Sequence, residues 1–254
     1  FTCGGTGGHI NPAIAVANLL KERYPETNIL FVGGQGDLEE KLIPAAGYKL
    51  KTLATSCMAR GKSFASLKYN LRAVGKIYKA VQQCKKIIQE FQTDVIIGTG
   101  GYASFPTLMA GSLLKVPTCV HESNAMPGLT TRLIADRADR VLTCFPESAK
   151  YYRHPEKIEI VGMPVRREFI FTEKENARKE LGLDGRPLIV SAFGSQGARA
   201  MNEMITELFV LEKNAEYPFQ HIHAVGSYGW SWMPEFVQNK GVDLSKTEDI
   251  RMVQ

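Results

Sequence analysis

The 254-residue sequence lacks any apolar run that approaches the roughly 20 residues of a membrane-spanning helix, so we predict no such helix within it. Its five cysteines are scattered without the spacing of a metal site, and their odd number favours free thiols in a reducing compartment. It also lacks an Asp-x-Asp pair that would hold a divalent cation. We therefore predict no metal site and no bound cofactor.

Acidic residues are scarce in the first part of the chain. Residues 1–163 contain 20 Lys and Arg against 13 Asp and Glu, whereas residues 164–254 contain 11 against 13. The first part is therefore basic and the second part is close to neutral. This imbalance predicts that the first part meets an anionic partner.

Short apolar runs bounded by glycine or proline alternate with helical patterns, which is typical of βαβ units and a parallel sheet. The alternation pauses at Gly162-Met163-Pro164 and then starts again. We therefore predict an α/β protein with two Rossmann-like parallel-sheet domains, over residues 1–163 and 164–254. The second series stops early and the chain opens without methionine, so we expect part of a longer protein with an incomplete second domain.

Three glycine-rich turns each follow a predicted strand and precede a predicted helix. The helix after the first turn is expected to start at Pro12. Glycine lets the backbone approach a ligand, and the following helix directs free N–H groups and its positive dipole end at that ligand. The first turn lacks both the third glycine of a dinucleotide fingerprint and the Lys-Ser/Thr of a P-loop. The turns predict a protein that holds phosphate-bearing molecules, and the alternative is tight turns that need a positive φ. They lie within the segments 4–9, 98–102 and 194–199.

Polar residues adjoin these turns. His9 is a candidate general base because histidine titrates near neutrality, and a structural role is the alternative. The segment 121–124 follows a predicted strand and should reach the sheet edge at which open α/β sheets bind ligands. The alternative for this segment is a polar loop with capping roles. Arg166 and Arg167 either clamp a phosphate or lie in solvent.

Five segments carry a family resemblance over almost the whole chain: Gly4-Gly5-Thr6-Gly7-Gly8-His9-Ile10-Asn11-Pro12-Ala13, Gly98-Thr99-Gly100-Gly101-Tyr102, His121-Glu122-Ser123-Asn124, Gly162-Met163-Pro164-Val165-Arg166 and Gly194-Ser195-Gln196-Gly197-Ala198-Arg199. In this order they resemble the MurG family of bacterial peptidoglycan N-acetylglucosaminyltransferases. The resemblance implies a metal-independent, inverting GT-B glycosyltransferase. Such an enzyme moves GlcNAc from UDP-GlcNAc to lipid I, the undecaprenyl-diphosphate-linked MurNAc-pentapeptide, and so makes lipid II.

The resemblance also implies roles for individual residues. His9 would accept the proton or stabilise the transition state, with Glu122 as the alternative. The acceptor contacts would be Gly100, Gly101 and Tyr102. The contacts with UDP-GlcNAc would be Thr6, Gly7, Gly8, Asn124, Arg166 and Ser195. The family usually has Gln at the position of Ser123 and Asn at that of Met163.

The segment 60–89 contains eight basic residues and no acidic one, with apolar residues at helical spacing. This pattern predicts a basic amphipathic helix that rests on anionic lipid through Lys68, Arg72, Lys76 and Lys79. The alternative is a helix packed on the core with a solvated basic face. Together with the resemblance, the basic amphipathic helix predicts a peripheral protein on the cytoplasmic face of the cell membrane. Nucleic acid is not an expected partner, because no reading motif accompanies the basic residues.

Two other functions stay open from the sequence. One is a different GT-B enzyme, such as a UDP-GlcNAc epimerase or a glycolipid synthase. The other is a donor-incompetent fragment that binds the acceptor diphosphate without catalysis. The segment 121–124 and the basic helix argue against the epimerase.

Overall fold

The computed structural model describes residues 1–36, 38–54, 64–194 and 196–254, and within 64–74 it describes the backbone alone. The chain divides into two compact units, Phe1–Ile170 (unit 1) and Phe171–Gln254 (unit 2). Each unit has its own parallel sheet, which confirms the predicted α/β architecture.

Unit 1 contains a parallel sheet at whose centre a single residue bridges two strands. Thr2 pairs with Val32 on one side and with Gly98 on the other. The order across the sheet is therefore β2, β1, Thr2, β3, β4, β5 and β6. The strands are β1 (Leu30–Gly34), β2 (Lys49–Leu53), β3 (Ile96–Gly98), β4 (Thr118–Glu122), β5 (Arg140–Thr143) and β6 (Ile158–Ile160).

Helices cover the sheet of unit 1 and bury its core. The helices that begin in this unit are α1 (Gly7–Arg23), α2 (Glu39–Ala45), α3 (Phe64–Phe91), α4 (Ser104–Leu113), α5 (Leu129–Ala135) and α6 (Arg167–Phe171). The largest core cluster joins α3, α4, α5 and the strands, and its members include Val81, Cys84, Ile88, Leu108, Val120 and Ile134. Four buried or half-buried cysteines of the described residues are free thiols, as predicted.

Helix α1 begins at Gly7 and not at the predicted Pro12. Proline lacks an N–H and normally favours the first turn of a helix, which is why the sequence places the start there. In the structure Pro12 lies inside α1, and the preceding turn is still helical. The Thr99 hydroxyl donates a hydrogen bond to the His9 carbonyl oxygen at 2.6 Å and so supports this turn from outside the helix. As a result His9 lies in the first turn of α1.

Unit 2 repeats the same plan on a smaller scale. Its described strands, in the order β7, β8, β9, are all parallel. They are β7 (Leu188–Ala192), β8 (Gln220–Ala224) and β9 (Ile250–Val253), and the helices are α7 (Lys174–Glu180), α8 (Arg199–Asn214) and α9 (Met233–Asn239). A core cluster around Phe209, Met233 and Val237 packs α8 and α9 against this sheet.

Candidate functional site

The first two glycine-rich turns lie against each other at the carboxyl edge of the unit 1 sheet. Gly101 has φ +82°, and its Cα is so close to the Gly4 carbonyl oxygen that a Cβ there would overlap it. A Cβ on Gly4 would in turn lie 2.8 Å from the Ala103 Cβ. Glycine alone permits this approach without rearrangement. The two turns therefore form one continuous backbone surface.

The His9 imidazole contacts both turns. Its Nδ1 lies 3.0 Å from the Gly4 carbonyl oxygen and 3.2 Å from the Thr6 Oγ1. Because a carbonyl oxygen only accepts, Nδ1 carries the proton, and Nε2 of the neutral ring keeps a free lone pair. This edge of the ring lies beside Gly100, where a Cβ would be 3.2 Å from Nε2. The structure thus brings His9 together with Gly100, a predicted acceptor contact.

Tyr102 extends this surface over the first turn. A Cβ on Gly5 would lie 3.4 Å from the Tyr102 ring. The buried Ser104 hydroxyl lies 2.5 Å from the Gly100 carbonyl oxygen and 3.1 Å from that of Thr2, so it ties the second turn to the centre of the sheet. The second turn is therefore held in place from below.

The amino end of α1 is suited to an anion. This helix of 17 residues has no acidic residue in its first turn, and Thr6 at its N-cap makes no side-chain cap hydrogen bond. Thr6 and Gly8 are exposed, and Gly7 is half-buried. Free N–H groups and the positive dipole end of a helix attract negative charge. The three residues predicted to contact UDP-GlcNAc here therefore form an uncapped helix end.

A buried carboxylate that the sequence analysis does not single out fixes the first turn. Glu39, at the start of α2, is fully buried, and its Oε1 accepts hydrogen bonds from the Gly5 N–H at 3.0 Å and the Gly34 N–H at 3.3 Å. Its Oε2 has no hydrogen-bond partner among the described residues. Burial, reinforced by the Glu39 charge, raises the pKa of the Cys3 thiol to about 12. Glu39 thus joins the turn to the end of β1.

Replacing Glu39 with alanine is expected to lower the free energy of unfolding by about 3–5 kcal/mol, because two N–H groups lose their acceptor and a cavity opens. Urea denaturation followed by far-UV circular dichroism measures the change. The neighbouring Glu40 is exposed, so Glu40→Ala should change the stability by no more than about 0.5 kcal/mol. Equal stabilities of the two variants would contradict the assignment.

The loop after β4 is organised around Glu122. This side chain is 4% exposed, and its Oε1 accepts from the Asn124 backbone N–H at 2.9 Å and from the Asn124 Nδ2 at 2.7 Å. Its Oε2 accepts from the Gly128 N–H at 3.0 Å. The structure therefore brings together two predicted site residues, Glu122 and Asn124. Both carboxylate oxygens are already occupied by the loop.

His121 joins this loop to the Gly162-Met163-Pro164 segment. Its Nε2 lies 3.1 Å from the Gly162 carbonyl oxygen and must donate to it, while the buried Nδ1 has no partner in the described part of the chain. Burial lowers the pKa of His121, against the opposing effects of the Gly162 bond and the Glu122 charge. A lowered pKa keeps the ring neutral at neutral pH.

The two predicted arginines follow the Gly162-Met163-Pro164 segment. Arg166 is exposed, and its guanidinium lies 5.2 Å from the Phe169 ring centroid. Arg167 pairs with Glu22 of α1.

The third glycine-rich turn follows β7 in unit 2. Gly197 has φ +76°, and a Cβ there would overlap the Val225 carbonyl oxygen at the end of β8. Helix α8 starts just after this turn, without an acidic residue in its first turn and without a side-chain cap. Ser195, the predicted contact in this turn, lies outside the described residues. The described part of the turn has the same close backbone packing as the turns of unit 1.

The basic helix is α3. Lys76 and Lys79 are exposed on it, and Tyr78 between them is 66% exposed. Val81, Cys84 and Ile88 of its second half pack into the core, so this half buries an apolar face as the alternative interpretation expected. The side chains of Lys68 and Arg72 lie outside the described residues. No helix in the described part of the chain is long and apolar enough to cross a bilayer.

A family model described as the glycosyltransferase family 28 N-terminal domain matches residues 1–143. The chain is 38% identical over 251 residues to a UDP-N-acetylglucosamine–N-acetylmuramyl-(pentapeptide) pyrophosphoryl-undecaprenol N-acetylglucosamine transferase of Caldanaerobacter subterraneus subsp. tengcongensis. This alignment covers 98% of the chain and 67% of the relative.

Solved structures share the fold. The crystal structure of Acinetobacter baumannii MurG superposes with a TM-score of 0.64 at 23% identity, over 99% of this chain and 66% of that protein. A UDP-GlcNAc 2-epimerase from Neisseria meningitidis bound to UDP-GlcNAc superposes with a TM-score of 0.60 at 13% identity, over 100% of this chain and 71% of the epimerase. The chain spans about two thirds of the length of each of these three proteins.

These similarities separate the transferase from the epimerase. The epimerase shares the fold at 13% identity, whereas the transferase from Caldanaerobacter is 38% identical over almost the whole chain. The predicted resemblance and enzyme class are confirmed. The chain therefore belongs to glycosyltransferase family 28 and, within it, to the MurG family of bacterial N-acetylglucosaminyltransferases.

Proposed function

We propose that the protein transfers GlcNAc from UDP-GlcNAc to lipid I, with inversion at the anomeric carbon, in peptidoglycan synthesis. The observation that carries this proposal is the joined surface of the first two turns with His9 beside it. That surface offers backbone donors, an uncapped helix end and a ring nitrogen with a free lone pair. A diphosphate-bearing acceptor needs such donors, and its hydroxyl needs such a base.

The acceptor lies against the second turn, with Gly100, Gly101 and Tyr102. Its hydroxyl oxygen attacks the anomeric carbon of GlcNAc, the bond from that carbon to the UDP oxygen breaks, and the hydroxyl proton passes to His9 Nε2. We assign the proton to His9 and not to Glu122, because both oxygens of Glu122 already accept hydrogen bonds from their own loop. Glu122 therefore acts by positioning Asn124.

The donor is held by the remaining predicted contacts. The turn at 194–197 and the uncapped start of α8 supply N–H groups for the UDP diphosphate, together with Ser195. The family resemblance also assigns Thr6, Gly7, Gly8 and Asn124 to UDP-GlcNAc. The exposed Arg166 guanidinium offsets the negative charge that builds up on UDP as the sugar leaves.

Radiolabelled UDP-GlcNAc, incubated with the protein in the presence and absence of lipid I, tests this proposal. Label should enter the lipid fraction only when lipid I is present. Conversion of UDP-GlcNAc to another UDP-sugar without lipid I would identify an epimerase. Calorimetric binding of UDP-GlcNAc without transfer would identify a binding protein, and either result would overturn the proposal.

We further propose that the protein is peripheral to the cytoplasmic face of the membrane, which the α3 lysines contact. The double variant Lys76→Glu, Lys79→Glu should bind phosphatidylglycerol vesicles about tenfold or more weakly, since each basic residue near an anionic surface contributes about 1 kcal/mol. Adding Lys68→Glu and Arg72→Glu should weaken binding further. Co-sedimentation with vesicles measures the effect.

A matched control changes two exposed lysines of another helix. Lys174→Glu with Lys179→Glu alters the net charge equally on α7 in unit 2, and it should leave vesicle binding within about twofold of the unmodified protein. Equal losses for the two double variants would show a net-charge effect and would contradict a contact through α3. The unmodified protein and both double variants should bind uncharged phosphatidylcholine vesicles only weakly.

A further inference from the structure

Unit 2 contains a continuous set of buried hydrogen bonds that the proposed reaction does not use. Glu212 Oε1 lies 2.7 Å from His221 Nδ1, and Ser191 Oγ lies 2.7 Å from both His221 Nε2 and His223 Nδ1. His223 Nε2 lies 3.3 Å from Asn202 Oδ1. Four of these side chains are at most 2% exposed, and Ser191 is half-buried. We call these five residues the buried network.

The buried network ends at the third glycine-rich turn. Asn202 Nδ2 donates to the Val225 carbonyl oxygen at 2.9 Å. The Gly197 Cα packs against this same oxygen. A second bond, from the Tyr228 N–H to the Gln196 carbonyl oxygen at 3.1 Å, joins the turn to the loop after β8. The position of the turn therefore depends on the carbonyl that Asn202 holds.

The direction of each hydrogen bond follows from that carbonyl. Because the Val225 oxygen only accepts, Asn202 must point its Nδ2 at it and its Oδ1 at His223. His223 therefore carries its proton on Nε2 and presents a lone pair at Nδ1. That lone pair must accept the single proton of the Ser191 hydroxyl.

The same reasoning places the protons at the Glu212 end of the buried network. Since the Ser191 proton is used, its oxygen accepts from His221 Nε2–H. One more proton must then lie between His221 Nδ1 and Glu212 Oε1. Together these two side chains hold one proton more than a carboxylate and a neutral imidazole. The other Glu212 oxygen, Oε2, is buried without a partner in the described residues, so the extra proton also offsets a poorly solvated charge.

His223 does not carry this proton. Burial lowers its pKa, and the neighbouring His221 lowers it further, against the opposing effect of a hydrogen bond with the Ser191 backbone. The Phe209 ring lies edge-on to both imidazoles, and the Phe193 ring is tilted against His223. Glu212 is the acidic member of the network, whereas the Asp249 carboxylate pairs with Arg186.

We propose that the buried network, with the protons arranged as derived above, positions the third glycine-rich turn for the donor diphosphate. Without the extra proton, His221 Nε2 would also present a lone pair, and the single Ser191 proton could not serve both imidazoles. If it serves His221, the His223 ring must turn its Nε2 lone pair toward Asn202 Oδ1. Asn202 then loses its fixed orientation and releases the Val225 carbonyl. The proposal rests on the proposed function only in assigning the donor diphosphate to this turn.

The network and the turn can be tested without any ligand. Nitrogen-15 NMR of the histidine rings should show a proton on Nε2 of both His221 and His223. Hydrogen-exchange protection of the Gly197 and Tyr228 amides should be high in the unmodified protein and low in Ser191→Ala, which breaks the network between the two rings. Affinity for UDP should fall in Ser191→Ala by about fivefold to tenfold, the equivalent of one hydrogen bond.

Glu212→Gln and Glu212→Ala form the decisive pair. The Gln amide N–H donates to His221 Nδ1 and so reproduces the proton-loaded pattern, whereas Ala leaves Nδ1 without a partner. We expect Glu212→Gln to keep the protection and the UDP affinity of the unmodified protein, and Glu212→Ala to lose both. Glu207→Ala removes a carboxylate from the exposed side of α8, where Glu207 pairs with Lys240, and it should follow the unmodified protein.

The outcomes separate the network from the donor site. Equal protection in Glu212→Ala and Glu207→Ala, or lost protection in a folded Glu212→Gln, would overturn the proposal. A different pair of ring tautomers would overturn it as well, even if Glu212→Gln failed to fold. If the tautomers and the protection behave as expected but UDP does not bind, the positioning of the turn stands and the donor assignment fails.

Discussion

The His9→Ala variant is expected to lower kcat for GlcNAc transfer to lipid I by about 10²–10⁴-fold, the usual contribution of a positioned general base. The Gly4 carbonyl oxygen fixes the ring with its proton on Nδ1, so Nε2 is free to take the proton of the attacking hydroxyl. The affinity for UDP-GlcNAc should change little, because the proposal assigns the UDP diphosphate to the start of α8 and not to the imidazole. Initial rates at saturating UDP-GlcNAc, with a parallel binding titration, separate the two quantities.

His154 provides the matched control for this experiment. It is an exposed histidine of the same unit that pairs with Glu156, far along the chain from the glycine-rich turns. His154→Ala should keep kcat within about twofold of the unmodified protein. A His9→Ala enzyme with unchanged kcat would remove His9 from the proton transfer and would return Glu122 to consideration.

The Gly101→Ala variant is expected to destabilise unit 1 by about 3–5 kcal/mol, the sum of a strained positive φ and a steric overlap. The new methyl group would displace the Gly4 carbonyl, which is also the acceptor that holds His9. Activity should therefore fall even under conditions where the variant stays folded. Urea denaturation followed by far-UV circular dichroism gives the free energy of unfolding.

Gly47→Ala separates the two causes. Gly47 also has a positive φ, +85°, but a Cβ there would have no neighbour within 4 Å, so we expect a loss of about 1–2 kcal/mol from strain alone. Both tryptophans, Trp230 and Trp232, belong to unit 2. Their fluorescence therefore follows unit 2, and its unfolding midpoint should not move in either variant. Equal losses for the two variants would show that the contact between the turns is weak.

The part of the site that depends on glycine could be predicted from the sequence. A glycine-rich turn after an apolar run is a local signal, and the structure does place the first two turns side by side. The local preference of Pro12 predicts the wrong start for helix α1, because a hydrogen bond from the distant Thr99 supports an extra turn before this proline. Strand β2 is similarly hard to recognise, since the exposed Lys49 and Lys51 give it the composition of a loop.

The buried polar groups could not be predicted in the same way. Glu39 and Asn202 act on backbone groups that lie far from them in sequence or on another element, so no local pattern shows the contact. A weak signal exists for the buried network, because Ser191, His221 and His223 are polar residues that interrupt short apolar runs. Burial of such residues requires partners, but the sequence does not say which ones.

The Glu39 carboxylate affects which anions can enter the first turn. It occupies the Gly5 N–H from beneath, and it brings a negative charge under the backbone that a phosphate would approach. Two unit charges 4 Å apart repel by about 4 kcal/mol at the effective dielectric of a protein surface. Deep insertion of a small anion is therefore opposed, while an anion that stays at the end of α1 is attracted. We therefore expect the first turn to favour a phosphate ester that stays at the end of α1 over a free phosphate that inserts more deeply.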